Sequence, residues 1–184
     1  MEIQIKKVED AALMQLISEL SVKTFYETYE HVNTAENILQ YVQLHFSVEN
    51  LLREYKIPGH FFYILFVNET AAGYIKMRTD HKDPAFQDLH QIELERFYVL
   101  RKYHGQKLGF FCMKFCIQES ASGNYDVLWL GVWKKNEKAI RFYKAMGFEI
   151  YSEHIFLFGE DPQEDFLMKL NIKNYKLPLL LNQN

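Results

Sequence analysis

Val99-Leu-Arg-Lys-Tyr-His-Gly-Gln-Lys-Leu-Gly109 lies between a strand-like run and a helix-like run of this chain. A strand-to-helix turn that contains glycine leaves backbone N–H groups at the start of the helix, and such groups attract phosphate oxygens. Turns of this kind are common in α/β proteins, so the stretch alone is a weak signal. Because another strand-like run follows the helix, the pattern predicts a right-handed parallel crossover in the middle of the chain.

A second segment downstream strengthens this interpretation, Asn136-Glu-Lys-Ala-Ile-Arg-Phe-Tyr-Lys-Ala-Met-Gly-Phe148. Its apolar spacing predicts a short helix that ends at Gly147, with Tyr143 one turn before the end. Asn136 is a typical N-cap residue for this helix.

Composition limits the function classes. The chain has 184 residues, of which 48% are hydrophobic, and this predicts a folded domain over residues 1–170 with a tail over 171–184. A net charge of −3 without a long basic run argues against a nucleic-acid partner. No apolar run is long enough to span a membrane, and the N-terminus lacks a signal-peptide core, so we expect a cytoplasmic protein. Cys112 and Cys116 are expected to be reduced thiols on a helix face, with no metal site.

Periodicity predicts a mixed α/β (α+β) sheet of about seven strands, mostly antiparallel, with helices on both faces. An aromatic and acidic connector is expected over 25–31, and a loop over 78–91. The predicted elements are a strand over 3–8, a helix over 9–24, helices capped by Thr34 and Ser47, a hairpin of 61–67 and 71–77, a strand over 92–99, a helix over 108–122, a strand over 125–133, a helix over 136–146, and strands over 148–158 and 166–170.

Three segments resemble the GCN5-related N-acetyltransferase (GNAT) family. They are FYVLRKYHGQKLG over 97–109, LWLGVWKKNEKAIRFYKAMGF over 128–148 and DFLMKL over 165–170. The order of the predicted elements is also that of the family. More narrowly, IELERFYV, LGVWKKNEKAI and the N-terminal TFYETY and NTAENILQYV are similar to bacterial spermidine/spermine N-acetyltransferases of the Pai type.

The resemblance implies acetyl-CoA as the acetyl donor and a small-molecule amine as the acceptor. It assigns the pantetheine arm to the backbone of one strand, the diphosphate to the turn, and the thioester sulfur to Tyr143. The implied donor-binding residues are Phe97, Tyr98, Val99, His104, Gly105, Gln106, Lys107, Leu108, Gly109, Phe110, Asn136, Lys138 and Tyr143. At position 136 the implied ligand role competes with the cap role for the same side chain.

The first motif departs from the family pattern at two positions. The family has Arg or Gln, two residues, Gly, one residue, and then Gly or Ala. Here His104 stands at the first position and Lys107 replaces the first Gly, whereas Gly109 is retained. Because a side chain disfavours positive φ, we expect Lys107 to be tolerated only where its φ is negative.

Acetyl transfer to an amine requires a neutral nucleophile and a protonated leaving group. Glu93 and Glu95 lie two residues apart on a predicted strand and share a face, so either is a candidate base for the ammonium proton. The alternative is that both are solvent-facing charges. Tyr143 is the candidate acid for the leaving thiolate, and its alternative role is helix packing beside Ile140 and Met146.

Acceptor recognition is predicted from the connector after the first helix. Tyr26, Glu27, Tyr29 and Glu30 offer carboxylates for ammonium groups and aromatic faces for methylene stems, as a polyamine requires. The alternative is an ordinary acidic surface. Two other functions also stay open, acetylation of a protein N-terminus or another amine, and CoA binding by a regulator without turnover. The Leu-rich end of the tail packs on a partner in a homodimer, packs on its own domain, or is disordered.

Overall fold

The computed structural model describes residues 1–158 and 161–176. Short 3-10 turns cover Ala11–Leu13, Pro84–Phe86 and Arg101–Tyr103. The main elements are β1 (Ile3–Lys7), α1 (Met14–Tyr29), α2 (Ala35–Phe46), α3 (Val48–Tyr55), β2 (His60–Val67), β3 (Thr70–Arg78), β4 (Gln91–Val99), α4 (Leu108–Ser122), β5 (Val127–Trp133), α5 (Glu137–Ala145), β6 (Glu149–Phe158) and β7 (Asp161–Asn171). No helix among these residues is long and apolar enough to cross a membrane.

The strands form a seven-stranded sheet in the order β1-β2-β3-β4-β5-β7-β6. The β4–β5 pair is parallel, whereas the β1–β2, β2–β3, β5–β7 and β6–β7 pairs are antiparallel. This confirms the predicted fold class and the parallel pairing in the middle of the chain. The β4–β5 ladder runs only from Gln91–Val127 to Glu93–Trp129, while both strands continue beyond it.

Contacts between residues divide the chain into two compact units. The single domain over 1–170 stays a prediction. The first unit comprises residues 1–80 and 95–112. Its core forms where α1 and α3 place apolar side chains against β2 and β3, with Met14, Ile17, Leu51, Phe62 and Tyr74 almost fully buried.

A glycine and a bulge bring β3 close to the end of β4 within the first unit. Leu65 pairs with Gly73 but Phe66 pairs with Ala71, so Ala72 is an extra residue in β3. The Ala72 carbonyl accepts a hydrogen bond from Leu100 N at 2.8 Å. A Cβ on Gly73 would lie 2.3 Å from the Tyr98 carbonyl oxygen, so this position has no space for a side chain.

The second unit comprises residues 81–94 and 113–184, of which the structure describes the parts given above. Strand β7 lies between β5 and β6, and its register pairs Leu170 with Leu128. Phe86, Val127 and Trp129 form a buried cluster in this unit, with Tyr151 and Leu167 packed against it.

Turn and cap residues in the sequence correctly predicted where several strands and helices begin or end. Asn68 and Glu69 both have positive φ, 45° and 63°, as a tight two-residue hairpin turn requires. The side chains of Thr34 and Ser47 accept hydrogen bonds from the N–H groups of Asn37 and Asn50. The predicted hairpin and both predicted caps are therefore confirmed.

The prediction of a connector over 25–31 was wrong, because α1 continues to Tyr29. Tertiary packing extends the helix. Phe25 is 4% exposed and stacks on Tyr41 of α2, with ring centroids 4.6 Å apart. The first helical residues form a 3-10 turn capped by Asp10, and β7 begins before the predicted residue 166. The Leu-rich end of the tail, over 177–184, lies outside the described residues, so a homodimer formed through it stays a prediction.

Candidate functional site

The turn that joins β4 to α4 has the backbone form of an anion-binding loop. Gly105 has a φ of 80° and Lys107 a φ of 60°, and α4 begins at the next residue. A Cβ on Gly105 would meet no atom within 4 Å, so glycine is favoured there by its φ and not by lack of space. Lys107 does not meet the expectation of a negative φ, and its left-handed conformation costs about 1–2 kcal/mol relative to glycine.

Helix α4 opens with backbone donors at this turn. Phe111 N donates a hydrogen bond to the Lys107 carbonyl at 3.1 Å. The N–H groups of Leu108 and Gly109 precede that bond, at the end of the helix where an α-helix supplies no acceptors of its own. A helix start of this form favours an anionic group through its N–H groups and its dipole.

The His104 side chain contacts the backbone at the end of β4. Its Nε2 lies 2.8 Å from the Val99 carbonyl oxygen. Because a carbonyl only accepts, Nε2 carries the hydrogen of this bond. His104 therefore braces the end of β4, and its predicted contact with the donor stays a prediction.

Asn136 is the N-cap of α5. Its side-chain oxygen accepts a hydrogen bond from Ala139 N at 3.1 Å. The oxygen thus serves the cap, which leaves the amide NH₂ group as the donor that a ligand would use. Lys138, in the first turn of the same helix, is exposed. The cap role is confirmed, and the ligand roles of both residues stay predictions.

Tyr143 is packed near the end of α5. The residue is 9% exposed, and its ring centroid lies 5.4 Å from that of Phe142 and 5.7 Å from that of Phe148. Ile140 and Met146 are also buried, so the packing role that the spacing indicated is present. A packed ring holds the phenol in one orientation, which a proton donor needs, and the acid role stays a prediction.

Glu95 belongs to a buried group of charges in the first unit. Its carboxylate lies 2.6 Å from Lys76 Nζ and 3.3 Å from nitrogens of both Arg78 and Arg96. Burial by itself raises the pKa of Glu95, but Arg96, Lys76 and Arg78 outweigh it and hold the pKa below its ordinary value. Glu95 is therefore kept ionised by three cations, an unfavourable state for a group that must take up a proton.

Glu54 of α3 completes this group, which we call the ion cluster (Glu54, Lys76, Arg78, Glu95 and Arg96). Its carboxylate receives two hydrogen bonds from Arg96, both at 2.8 Å, and lies 2.9 Å from Lys76 Nζ. The Lys76 side chain is only 1% exposed, and burial lowers its pKa. Sequence reasoning missed this cluster, since its members come from three separate elements.

Glu93 has different surroundings, in the second unit. It is 7% exposed, so the alternative of a solvent-facing charge is wrong for this residue. Its Oε2 lies 2.8 Å from Nδ1 of His81, whose ring packs against the Trp129 indole at a centroid distance of 5.2 Å. Sequence reasoning missed His81, because nothing in a polar loop signals which of its residues turns toward the sheet.

Tyr26, Glu27 and Tyr29 lie on the last turns of α1, and Glu30 follows as its C-cap. Glu27 accepts a hydrogen bond from Arg101 N at 2.7 Å, and the Arg101 guanidinium bonds the Glu27 carbonyl. Glu30 lies 3.4 Å from the same guanidinium and 3.2 Å from His31. Tyr29 packs on Phe25. These contacts tie the carboxylates to the segment after β4, and acceptor binding stays a prediction.

No group of three or more His, Cys, Asp or Glu side chains within 1–155 and 162–176 is placed to hold a metal ion. Cys112 and Cys116 are buried and free of disulfides. Burial raises the pKa of the Cys112 thiol to about 12, so this thiol stays protonated near neutral pH.

Comparison with known proteins assigns the family. A sequence model of the acetyltransferase (GNAT) family matches residues 15–148. The "uncharacterized N-acetyltransferase in pepI 3′ region" of Lactobacillus delbrueckii subsp. lactis is 34% identical over 167 residues, which cover 91% of this chain and 96% of that protein.

Two solved structures share the fold at low sequence identity. The PaiA N-acetyltransferase from Thermoplasma acidophilum, in complex with coenzyme A, superposes with a TM-score of 0.76 at 21% identity, covering 93% of this chain and 99% of that one. The ribosomal-protein-S18-alanine N-acetyltransferase from Escherichia coli superposes with a TM-score of 0.70 at 16% identity, covering 100% and 99%. The match of the family model and the long relative place this chain in the acetyltransferase (GNAT) family, as an N-acetyltransferase.

Proposed function

We propose that this N-acetyltransferase uses acetyl-CoA to acetylate a primary amine of a small polyamine, such as spermidine or spermine. The main observation in favour of acetyl-CoA as the donor is the turn over 105–109, in which two residues of positive φ precede a fifteen-residue helix. Family membership supports assigning the donor's diphosphate to this turn. The coenzyme A complex of the PaiA enzyme, which shares the fold, is consistent with the same donor.

We expect acetyl-CoA to bind mainly through hydrogen bonds to backbone groups, and less through side chains. Phe97 and Val99 lie on β4 beyond the end of its ladder with β5, where a pantetheine arm would add hydrogen bonds as a further strand does. Backbone N–H groups of residues 105–110 would donate hydrogen bonds to the diphosphate. Asn136 would contribute its amide NH₂ group, because its oxygen already caps α5.

The reaction forms a C–N bond to the acetyl carbonyl and breaks the C–S bond of the thioester. A primary amine with a pKa of about 10.4 is neutral in only about 0.04% of molecules at pH 7, so deprotonation costs roughly 4–5 kcal/mol. A base must accept that ammonium proton, and Glu93 and Glu95 are the two predicted candidates. Tyr143 would donate its phenolic proton to the leaving sulfur and recover one from solvent.

The polyamine assignment is supported by side chains at the end of α1. Tyr26 and Tyr29 are half-buried and offer aromatic faces, and Glu27 and Glu30 offer negative charge in the same two turns. Arg101 compensates part of that charge, so an acceptor with several ammonium groups would compete with it for the carboxylates. This competition favours a polycation over an amine of single charge.

The test is release of free thiol from acetyl-CoA in the presence of an amine panel. Release with spermidine or spermine, and little with monoamines or peptides, is the expected result. Release only with peptides that have a free N-terminus would replace the polyamine by a protein acceptor. Tight binding of coenzyme A without release on any amine would make the chain a CoA-binding regulator and overturn the proposal.

A further inference from the structure

Glu27 caps the 3-10 turn Arg101–Tyr103 from the end of α1. Its Oε2 accepts a hydrogen bond from Arg101 N at 2.7 Å, across 74 residues of sequence. Leu100, the N-cap of the 3-10 turn, makes no side-chain cap bond of its own. The first N–H groups of a helical turn have no acceptor within that turn, so the Glu27 carboxylate supplies an acceptor that is missing locally.

The Arg101 side chain makes the reciprocal contact. Its guanidinium bonds the backbone carbonyl of Glu27, in the last turn of α1. Carbonyls at this end of a helix lack partners within the helix, and a cation beside them is favoured by the helix dipole. Helix α1 has no basic residue in its own last turn, so Arg101 supplies that cation. The two residues together fix the 3-10 turn to the end of α1.

The 3-10 turn leads directly into the turn proposed to bind the diphosphate, which we call the donor turn (residues 105–109). Hydrogen bonds from the N–H groups of Tyr103 and His104 to carbonyls at the start of the 3-10 turn measure 2.9 and 3.0 Å. Gly105 follows at once. All of these residues belong to the same compact unit as α1. A contact that holds the start of the 3-10 turn therefore also holds the backbone that enters the donor turn.

We propose that Glu27 is a positioning residue for the donor turn. Its carboxylate oxygen holds Arg101 N, and with it the backbone that places residues 105–110 for the diphosphate. The inference rests on the proposed binding of acetyl-CoA at this turn. It adds a second role to a half-buried residue that is also predicted to bind the acceptor. A carboxylate has two oxygens and the bond to Arg101 N uses one of them, so the two roles are compatible.

The two roles of Glu27 require different properties of the side chain. An acceptor ammonium group requires the negative charge, whereas Arg101 N requires only an oxygen at the right place. Glu27→Gln keeps an oxygen and removes the charge. Glu27→Ala removes both. Comparison of these two variants therefore isolates the positioning role.

An effect of charge alone would have the opposite sign. The diphosphate of coenzyme A is anionic, so removal of a carboxylate from the protein reduces the repulsion or leaves it unchanged. On charge alone, both variants would bind coenzyme A at least as tightly as the wild type. Weaker binding by Glu27→Ala, and not by Glu27→Gln, is the result that the positioning role predicts.

The first test is calorimetric titration of the full chain with coenzyme A. The control is Glu19→Ala, since Glu19 is an exposed carboxylate of α1 that bonds Gln15 within the same helix. We expect Glu27→Ala to raise the Kd by about tenfold, the order of one lost hydrogen bond to a charged group. Glu27→Gln should stay within about threefold of the wild type, because a neutral oxygen accepts more weakly than a charged one. Glu19→Ala should bind as the wild type does.

The second test needs neither ligand nor activity. Hydrogen exchange followed by NMR measures the protection of the Arg101 amide in the full chain. We expect protection in the wild type and in Glu27→Gln, and exchange faster by about tenfold or more in Glu27→Ala. A wild-type Arg101 amide that exchanges as fast as an unstructured peptide would overturn the inference, whether or not the alanine variant folds.

The titration separates the role of Glu27 from the donor site itself. A Glu27→Ala variant with a lower unfolding midpoint but the wild-type Kd would make Glu27 a stabilising cap only, and would overturn its role while the donor turn stands. Equal weakening in both Glu27 variants would also overturn it, because the amide oxygen would then fail to replace the carboxylate. A wild type that binds no coenzyme A would overturn the proposed donor site and this inference together.

Discussion

Replacing Glu54 by glutamine tests how much the buried charge pairs of the ion cluster contribute to the free energy of unfolding. Two carboxylates, Glu54 and Glu95, face three cations, and Glu54 alone contacts both Arg96 and Lys76 within 3 Å. In Glu54→Gln, Lys76 and Arg96 lose the charge of Glu54 and keep their contacts with Glu95. Removing one partner of a buried ion pair costs about 3–5 kcal/mol, and the 21% exposure of the Glu54 side chain favours the lower end. We therefore expect a loss of about 3 kcal/mol in the free energy of unfolding.

The same helix offers a matched control in Glu49→Gln. Glu49 also pairs with an arginine, Arg53, but its side chain is 76% exposed. Surface pairs of this kind contribute at most about 1 kcal/mol, so the control should lose little stability. For a chain of this size the 3 kcal/mol loss corresponds to a fall of about 6–12 °C in Tm.

Urea unfolding followed by circular dichroism, with both variants and the wild type side by side, measures the two losses. A lower midpoint for Glu54→Gln at an unchanged slope is the expected result. If Glu54→Gln and Glu49→Gln unfold at the same midpoint, burial does not strengthen the cluster and the reasoning from its geometry is refuted.

Three further predictions concern the donor site and the cluster. Tyr143→Phe should lower kcat by about 10²-fold or more while coenzyme A binding, measured by calorimetry, stays within a few-fold; an unchanged kcat would remove Tyr143 from the mechanism. Lys107→Gly relieves the positive φ and should raise the free energy of unfolding by about 1 kcal/mol or less, because glycine also loosens the unfolded chain; a clear loss in urea unfolding would contradict this. Since the folded-state pKa of Glu95 is lowered, its contribution is present above the unfolded value near 4.5 and is lost as pH falls through the folded value, so Glu95→Gln should flatten the decline in stability below pH 5.

Signals within a few residues were sufficient for much of the fold. The positive-φ turn at Asn68 and Glu69 and the caps at Thr34, Ser47 and Asn136 depend only on their own side chains and backbone, so the sequence located them. The parallel β4–β5 pair followed from chain order, because a helix separates the two strands.

Features that depend on distant partners were not predictable in this way. The end of α1 was misplaced because Phe25 is held by Tyr41, sixteen residues further along the chain. The period of two in β4 predicts that Glu93 and Glu95 share a face, but it does not reveal which cations or rings each one contacts. The loop histidine beside Glu93 was missed for the same reason, since the contact joins a loop to a strand twelve residues away.

Two glycines of the first unit should respond differently in a saturation mutagenesis screen. At position 73 any Cβ collides with a neighbouring carbonyl, so all nineteen replacements should be depleted alike, whatever their preferred backbone angles. At position 105 space is open and only the sign of φ matters, so asparagine and aspartate should survive while β-branched residues are lost. A library read by deep sequencing would thus separate a glycine that is needed because a Cβ has no space from one that is needed because its φ is positive.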